Sequence, residues 1–91
     1  MSKESSSIAK LAYEALDSKK AENIKIIDIS NVSVIADYFV IADATNMSQL
    51  QAMCDEVDEK LTRAGHPSKQ IEGNRSSTWV LMDFGDVIVH V

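Results

Sequence analysis

Ser77-Thr78-Trp79-Val80-Leu81-Met82-Asp83-Phe84-Gly85-Asp86-Val87-Ile88-Val89-His90-Val91 reads as two strands, about 78–83 and 86–91, folded about an Asp-Phe-Gly-Asp turn. Gly85 supplies a residue that adopts positive φ, and the flanking aspartates can bond local backbone amides. Side chains alternate across a strand, so Trp79 and Leu81 oppose Val80 and Met82, while Val87, Val89 and Val91 oppose Ile88 and His90. Both faces of this hairpin are therefore apolar. Two arrangements satisfy that pattern. One helix on each face would internalise everything; two helices on one face would leave the other bare for a partner.

Working back from the hairpin, Gln70-Ile71-Glu72 is a short edge-strand candidate ahead of the looser Gly73-Asn74-Arg75-Ser76-Ser77 segment. Before it, Leu50, Met53, Cys54, Val57, Leu61 and Ala64 form one stripe opposed by Asp55, Glu56, Asp58, Glu59 and Lys60, which predicts a helix over 47–64. Asn46 and Gln49 have the spacing of a capping box at its start, and Gly65 with Pro67 supplies the stop. Tyr38-Phe39-Val40-Ile41-Ala42 is apolar at every position and fits a central strand covered on both sides. Ile24–Ile29 is a first strand, rich in β-branched residues. Ile8, Leu11, Ala12, Ala15 and Leu16 line a first helix over 5–20, with Ser5-Ser6-Ser7 offering N-cap hydroxyls. The order is α-β-β-α-(β)-β-β: a single α/β (α+β) domain over 1–91, built from a mixed β-sheet of four to five strands and two main helices.

Composition narrows the function classes. The chain has 91 residues, 45% apolar and 25% charged, an ordinary globular balance. A chain this small buries roughly 60 to 68% of its unfolded surface, enough for one modest core. The net charge of −5 and the lack of a basic stretch beyond Lys19-Lys20 oppose a grip on nucleic-acid phosphates and suit a basic protein partner. Cys54 is the only cysteine, so no internal disulfide forms; with no secretory signal and no apolar run near the roughly 20 residues of a membrane span, a cytoplasmic location is expected.

No residue cluster announces catalysis. Asp83 and Asp86 flank a turn, where local bonding explains them, and no further carboxylates or histidines stand at metal-ligand spacing. Asp83-Phe84-Gly85 matches a kinase triplet without any other kinase part. His66 follows the second helix and His90 sits in the last strand, neither with a visible second ligand; Cys54 lies on an apolar stripe with no base to pair with. No glycine-rich phosphate cradle is present. Trp79, the only tryptophan, suits either a core or an interaction hot spot.

Ala36-Asp37-Tyr38-Phe39-Val40-Ile41-Ala42, then Thr45 to Gln49 opening a helix, then Asp55-Glu56-Val57, then Trp79 to Val91, closely resemble the ribosomal silencing factor family, also called RsfS or Iojap-like proteins. The likeness spans about 5–91, and its two strand blocks are specific in combination. The resemblance implies a fold similar to nucleotidyltransferases without their active site, no enzymatic activity and no cofactor. It also implies a cytoplasmic translation repressor that docks on large-subunit ribosomal protein number fourteen and blocks joining of the small subunit under nutrient limitation, as in stationary phase. By position, the partner-binding residues it implies are Trp79, Leu81, Asp83, Phe84, Gly85, Asp86 and His90, with Asp37 and Tyr38 behind them. Two departures stand out: Asp43-Ala44-Thr45-Asn46 replaces a Thr-Gly-Thr-Ser-like run, and an aromatic-rich segment expected after the last strand is not in the sequence. Two rival readings remain. One is a nucleotide-binding, transferase-like enzyme using Asp83 and Asp86 with a divalent ion; the other is a homodimeric module whose bare face meets its own copy.

Overall fold

The computed structural model describes residues 3–73 and 79–91. Helix α1 (Lys3–Ser18) leads to strands β1 (Glu22–Asp28) and β2 (Tyr38–Asp43), helix α2 (Met47–Arg63), and strands β3 (Gln70–Glu72), β4 (Leu81–Asp83) and β5 (Val87–His90). All seven expected elements are present. The terminal hairpin is shorter than its apolar run suggested, and the expected loose segment and strand start at 74–78 lie outside the described residues.

α1 begins ahead of the three serines instead of being capped by them. Ser5 is fully buried and donates its Oγ to Asp37 Oδ2 at 2.8 Å, so it ties the helix to the approach of β2. The far end closes with Lys20 N–H to Asp17 O and Ala21 N–H to Leu16 O, with Lys20 at φ 61. That is a Schellman arrangement holding lysine in the left-handed position that usually belongs to glycine.

α2 starts as its capping residues predict. Asn46 Oδ1 accepts from Gln49 N–H at 2.8 Å, and Gln49 Oε1 reaches back to the N–H and hydroxyl of Thr45. The Gln49 amide also donates to the carbonyls of Lys19 and Lys20, joining the start of α2 to the exit of α1. At the other end His66 N–H bonds Leu61 O and Gly65 N–H bonds Thr62 O, with Gly65 at φ 92. Ala44 is not among the positive-φ residues, so the family's glycine has no left-handed role to fill here.

The sheet order is β1-β2-β5-β4-β3. β2 and β5 run parallel; β1–β2, β4–β5 and β3–β4 are antiparallel. The core explains why both helices share one face. α1 and α2 pack on each other, and α1 lies over β1, β2 and β5. The buried sheet residues Val40, Ala42, Met82, Val87 and Val89, with Val80 just ahead of β4, all point to that side, meeting Ile8, Ala12, Leu16, Met53, Val57 and Leu61. One helix per face is therefore excluded, and β2 is covered on one side only. The continuous apolar run Tyr38–Ala42 misled because a strand with one open apolar face gives the same pattern as one covered twice.

Candidate functional site

Register fixes what the uncovered face carries. Paired residues on neighbouring strands share a side, so one row across the sheet runs Ile27–Phe39–Ile88–Asp83–Gln70. The next row runs Lys25–Ile41–His90–Leu81–Glu72. Trp79, just before β4, projects on the same side and is 44% exposed. Its ring meets His90 edge-on with centroids 6.1 Å apart, and Phe39 lies across the same imidazole at 6.4 Å. Trp79, His90 and Phe39 thus form an aromatic strip in tilted and edge geometries. Its members are partly exposed because, among the described residues, no helix lies over them. The apolar centre is bordered by Lys25 near the β1 edge and by Asp83 and Glu72 on the β3–β4 side.

The turn between β4 and β5 holds the remaining acidic groups. Phe84 N–H bonds Val87 O, leaving Gly85-Asp86 as a two-residue loop with Gly85 at φ 90. Asp83 Oδ1 accepts from Gly85 N–H at 2.7 Å, the local turn bond expected of it. Asp86 is exposed, and its carbonyl accepts from the N–H groups of Asp37 and Tyr38. Beside this turn the β1–β2 connection presents Val32, Val34 and Ile35 at 87, 104 and 74% exposure. Among the described residues no group of three His, Cys, Asp or Glu side chains could hold a metal ion. At the other end of the sheet, Gly73 has φ 94, and a Cβ there would stand 2.4 Å from the Trp79 carbonyl oxygen. Glycine at this position lets the chain pass close behind the tryptophan.

The nine residues implied by the family resemblance divide accordingly. Trp79, Leu81, Asp83 and His90 come together on the open face. Gly85 and Asp86 sit at the turn bordering it. Phe84 does not belong with them: it is 6% exposed and packs in the core, because the turn directs its ring toward the helices. Tyr38 pairs with Val87 on the helix side and packs against the core, and the Asp37 carboxylate is held by Ser5. The sequence reading missed Phe39, Ile41, Ile88 and Ile27. Alternation placed each on a face, but only the strand order brought them beside Trp79.

The family model described as "Ribosomal silencing factor during starvation" matches residues 2–91. The chain belongs to the ribosomal silencing factor family. A Bacillus subtilis ribosomal silencing factor is 41% identical over 85 residues, a match covering 93% of this chain and 72% of the relative. The silencing factor from Halalkalibacterium halodurans is 38% identical, covering 92% and 72%. A chloroplast Iojap protein of Zea mays is 31% identical over 93% of this chain but only 35% of its own length. A crystal structure from Chromobacterium violaceum superposes with a TM-score of 0.89 at 37% identity, covering 94% of this chain and 72% of that one. Another from Bacillus halodurans gives 0.88 at 35% identity, covering 94% and 80%. These neighbours share the mixed sheet with its helix layer. The silencing-factor relatives are named for a regulatory role on the ribosome and not for a reaction. Among the described residues, no helix is long and apolar enough to cross a membrane.

Proposed function

We propose that this family member represses translation in the cytoplasm by laying its open sheet face on a basic protein of the large ribosomal subunit, ribosomal protein number fourteen. Bound there, it obstructs the approach of the small subunit when nutrients run short. The observation that carries the reading is the uncovered aromatic strip, with Trp79 seated on His90 beside Phe39 and Leu81. Such a strip supplies desolvated anchors, and the anchors of an interface hold most of its binding energy. Asp83 and Asp86 stand at its border, where carboxylates steer and orient a cationic partner. The net charge of −5 favours a basic protein surface over ribosomal RNA phosphates.

The mechanism requires no chemical step and no cofactor. Asp83 Oδ1 is occupied by the Gly85 amide, and that bond orients the carboxylate along the rim of the face. A homodimer built on the same apolar strip would compete with ribosome docking. The test is co-sedimentation with purified large subunits. Trp79→Ala should weaken binding by about tenfold or more, as loss of an interface anchor does, and Asp83→Lys should weaken it further at low salt. Wild-type binding by both variants would remove the proposed face. The matching functional readout is subunit joining on a sucrose gradient, where the wild type should lower the associated fraction and Trp79→Ala should not.

A further inference from the structure

Among the described residues, the helix side of the sheet is not fully covered. α1 lies over β1, β2 and β5 and α2 packs on α1, so among the described residues neither helix backbone comes close to β3 or β4. What remains is a groove of about 640 Å³ between α2 and the β3–β4 edge. Its floor is apolar, formed by Leu50 and Cys54 of α2 with Ile71 and Met82 of the sheet. Ile71 is 47% exposed although it points to the core side of the sheet, because among the described residues no helix lies above it. Burial pushes the Cys54 thiol up to about 11, and the neighbouring Asp55 carboxylate raises it in the same direction.

The groove's charges are all of one sign among its described lining residues. Asp55 and Asp58 stand along its α2 wall, and no Lys or Arg accompanies them. Asp55 accepts a neutral bond from Gln51 at 2.8 Å, and Asp58 a long one from Ser68 at 3.5 Å. The ion pair among the described residues, Glu59 with Arg63, lies elsewhere on the helix. The volume falls within the roughly 300–1,000 Å³ of ordinary ligand pockets, room for a few side chains. A second copy of this chain would bring another −5 to the same place. An apolar segment flanked by Lys or Arg satisfies both the floor and the wall, burying hydrocarbon while its cations meet the carboxylates.

We propose that the groove between α2 and the β3–β4 edge is a second docking site, taking a short amphipathic basic segment of another protein. It faces away from the aromatic strip, so one molecule could hold the large subunit with one side and a basic partner segment with the other. The test uses the 91-residue chain and a fluorescein-labelled helical peptide of leucines and lysines, followed by anisotropy. Paired control peptides replace every lysine with glutamate or every leucine with serine.

The Leu–Lys peptide should bind, and both controls should bind at least about tenfold more weakly. Asp55→Lys with Asp58→Lys, both solvent-accessible changes, should reduce binding at least about tenfold, and Ile71→Glu should do the same. Trp79→Ala should leave peptide binding unchanged, which separates this site from the open face. The proposal is overturned if the charge-reversed variant binds normally, if the Lys–Ser peptide binds as well as Leu–Lys, or if Trp79→Ala abolishes binding. It also fails if light scattering shows a dimer that Ile71→Glu dissociates, which would assign the groove to a second copy. Attaching to the chain the residues that a longer relative carries beyond the match provides the last control; loss of peptide binding then would overturn the proposal, because the groove would be filled in cis.

Discussion

Both faces of the sheet are apolar at their centre, yet the helices cover only one of them. On the helix side Val40, Val89 and Met82 form a row that is almost wholly buried. One residue along each strand, Ile41, His90 and Leu81 form a row that no helix covers. At these central positions only His90 sets the two rows apart in polarity. The helix-side row meets Leu16, Met53 and Leu61, so its side chains stabilise the fold; the open row keeps apolar surface partly exposed, the surface proposed above for docking. Trp79, Phe39 and His90 meet on the open side, where large amphipathic groups tolerate partial exposure and still gain on desolvation.

That contrast is open to experiment. Leu61→Ala and Leu81→Ala remove the same atoms from the two sides. Leu61 is fully buried, so its truncation should cost about 2–5 kcal/mol in urea unfolding. The half-buried Leu81 should cost about 1 kcal/mol, in proportion to the smaller area it removes from water. Equal losses would erase the difference between a covered and an open face.

Cys54 probes the boundary of the covered side. The thiolate is the reactive form, and a thiol raised from 9.0 to about 11 holds less of it at every pH below that value. Alkylation by iodoacetamide at pH 8 should be about a hundredfold slower than that of an unhindered thiol, because the thiolate population falls about tenfold for each pH unit by which ionisation is delayed. The rate should then rise about tenfold per pH unit and level off only near the raised value. A rate equal to that of a free thiol would show the α2 wall of the groove to be wetter than the structure has it.

The smallest effect lies away from both faces, at the turn where α1 ends. Lys20 occupies the left-handed region at φ 61, a conformation costing a non-glycine residue about 1–2 kcal/mol. Glycine removes that strain but loses more chain entropy on folding. Lys20→Gly should therefore raise stability by about 0.5–1 kcal/mol, read as a small rise in Tm, with ribosome binding unchanged. A fall in Tm would mean that the lysine side chain contributes more than its backbone conformation costs.

Local chemistry made much of this molecule legible from its residues. The stripe Leu50–Met53–Val57–Leu61, the Asn46–Gln49 start and the Gly65 stop define α2, because helix period and capping are properties of neighbouring residues. The Gly85-Asp86 turn followed for the same reason, and two specific strand blocks indicated the family. Ser5 shows where local reasoning gave out: three consecutive serines look like a cap, yet the buried one serves a carboxylate 32 positions away. Phe84 shows it again, since an aromatic in a turn motif reads as exposed until the turn aims it inward.

The elements, their order, the acidic charge and the family could all be read along the chain, because each follows from composition or from residues close to one another in it. Which apolar face goes uncovered could not. The two helices settle on one side of the sheet, and strand order β1-β2-β5-β4-β3 carries Phe39, His90, Leu81 and Trp79 from distant positions into a single strip. Alternation assigns each side chain to one of two sides; long-range packing alone chooses the side that faces water.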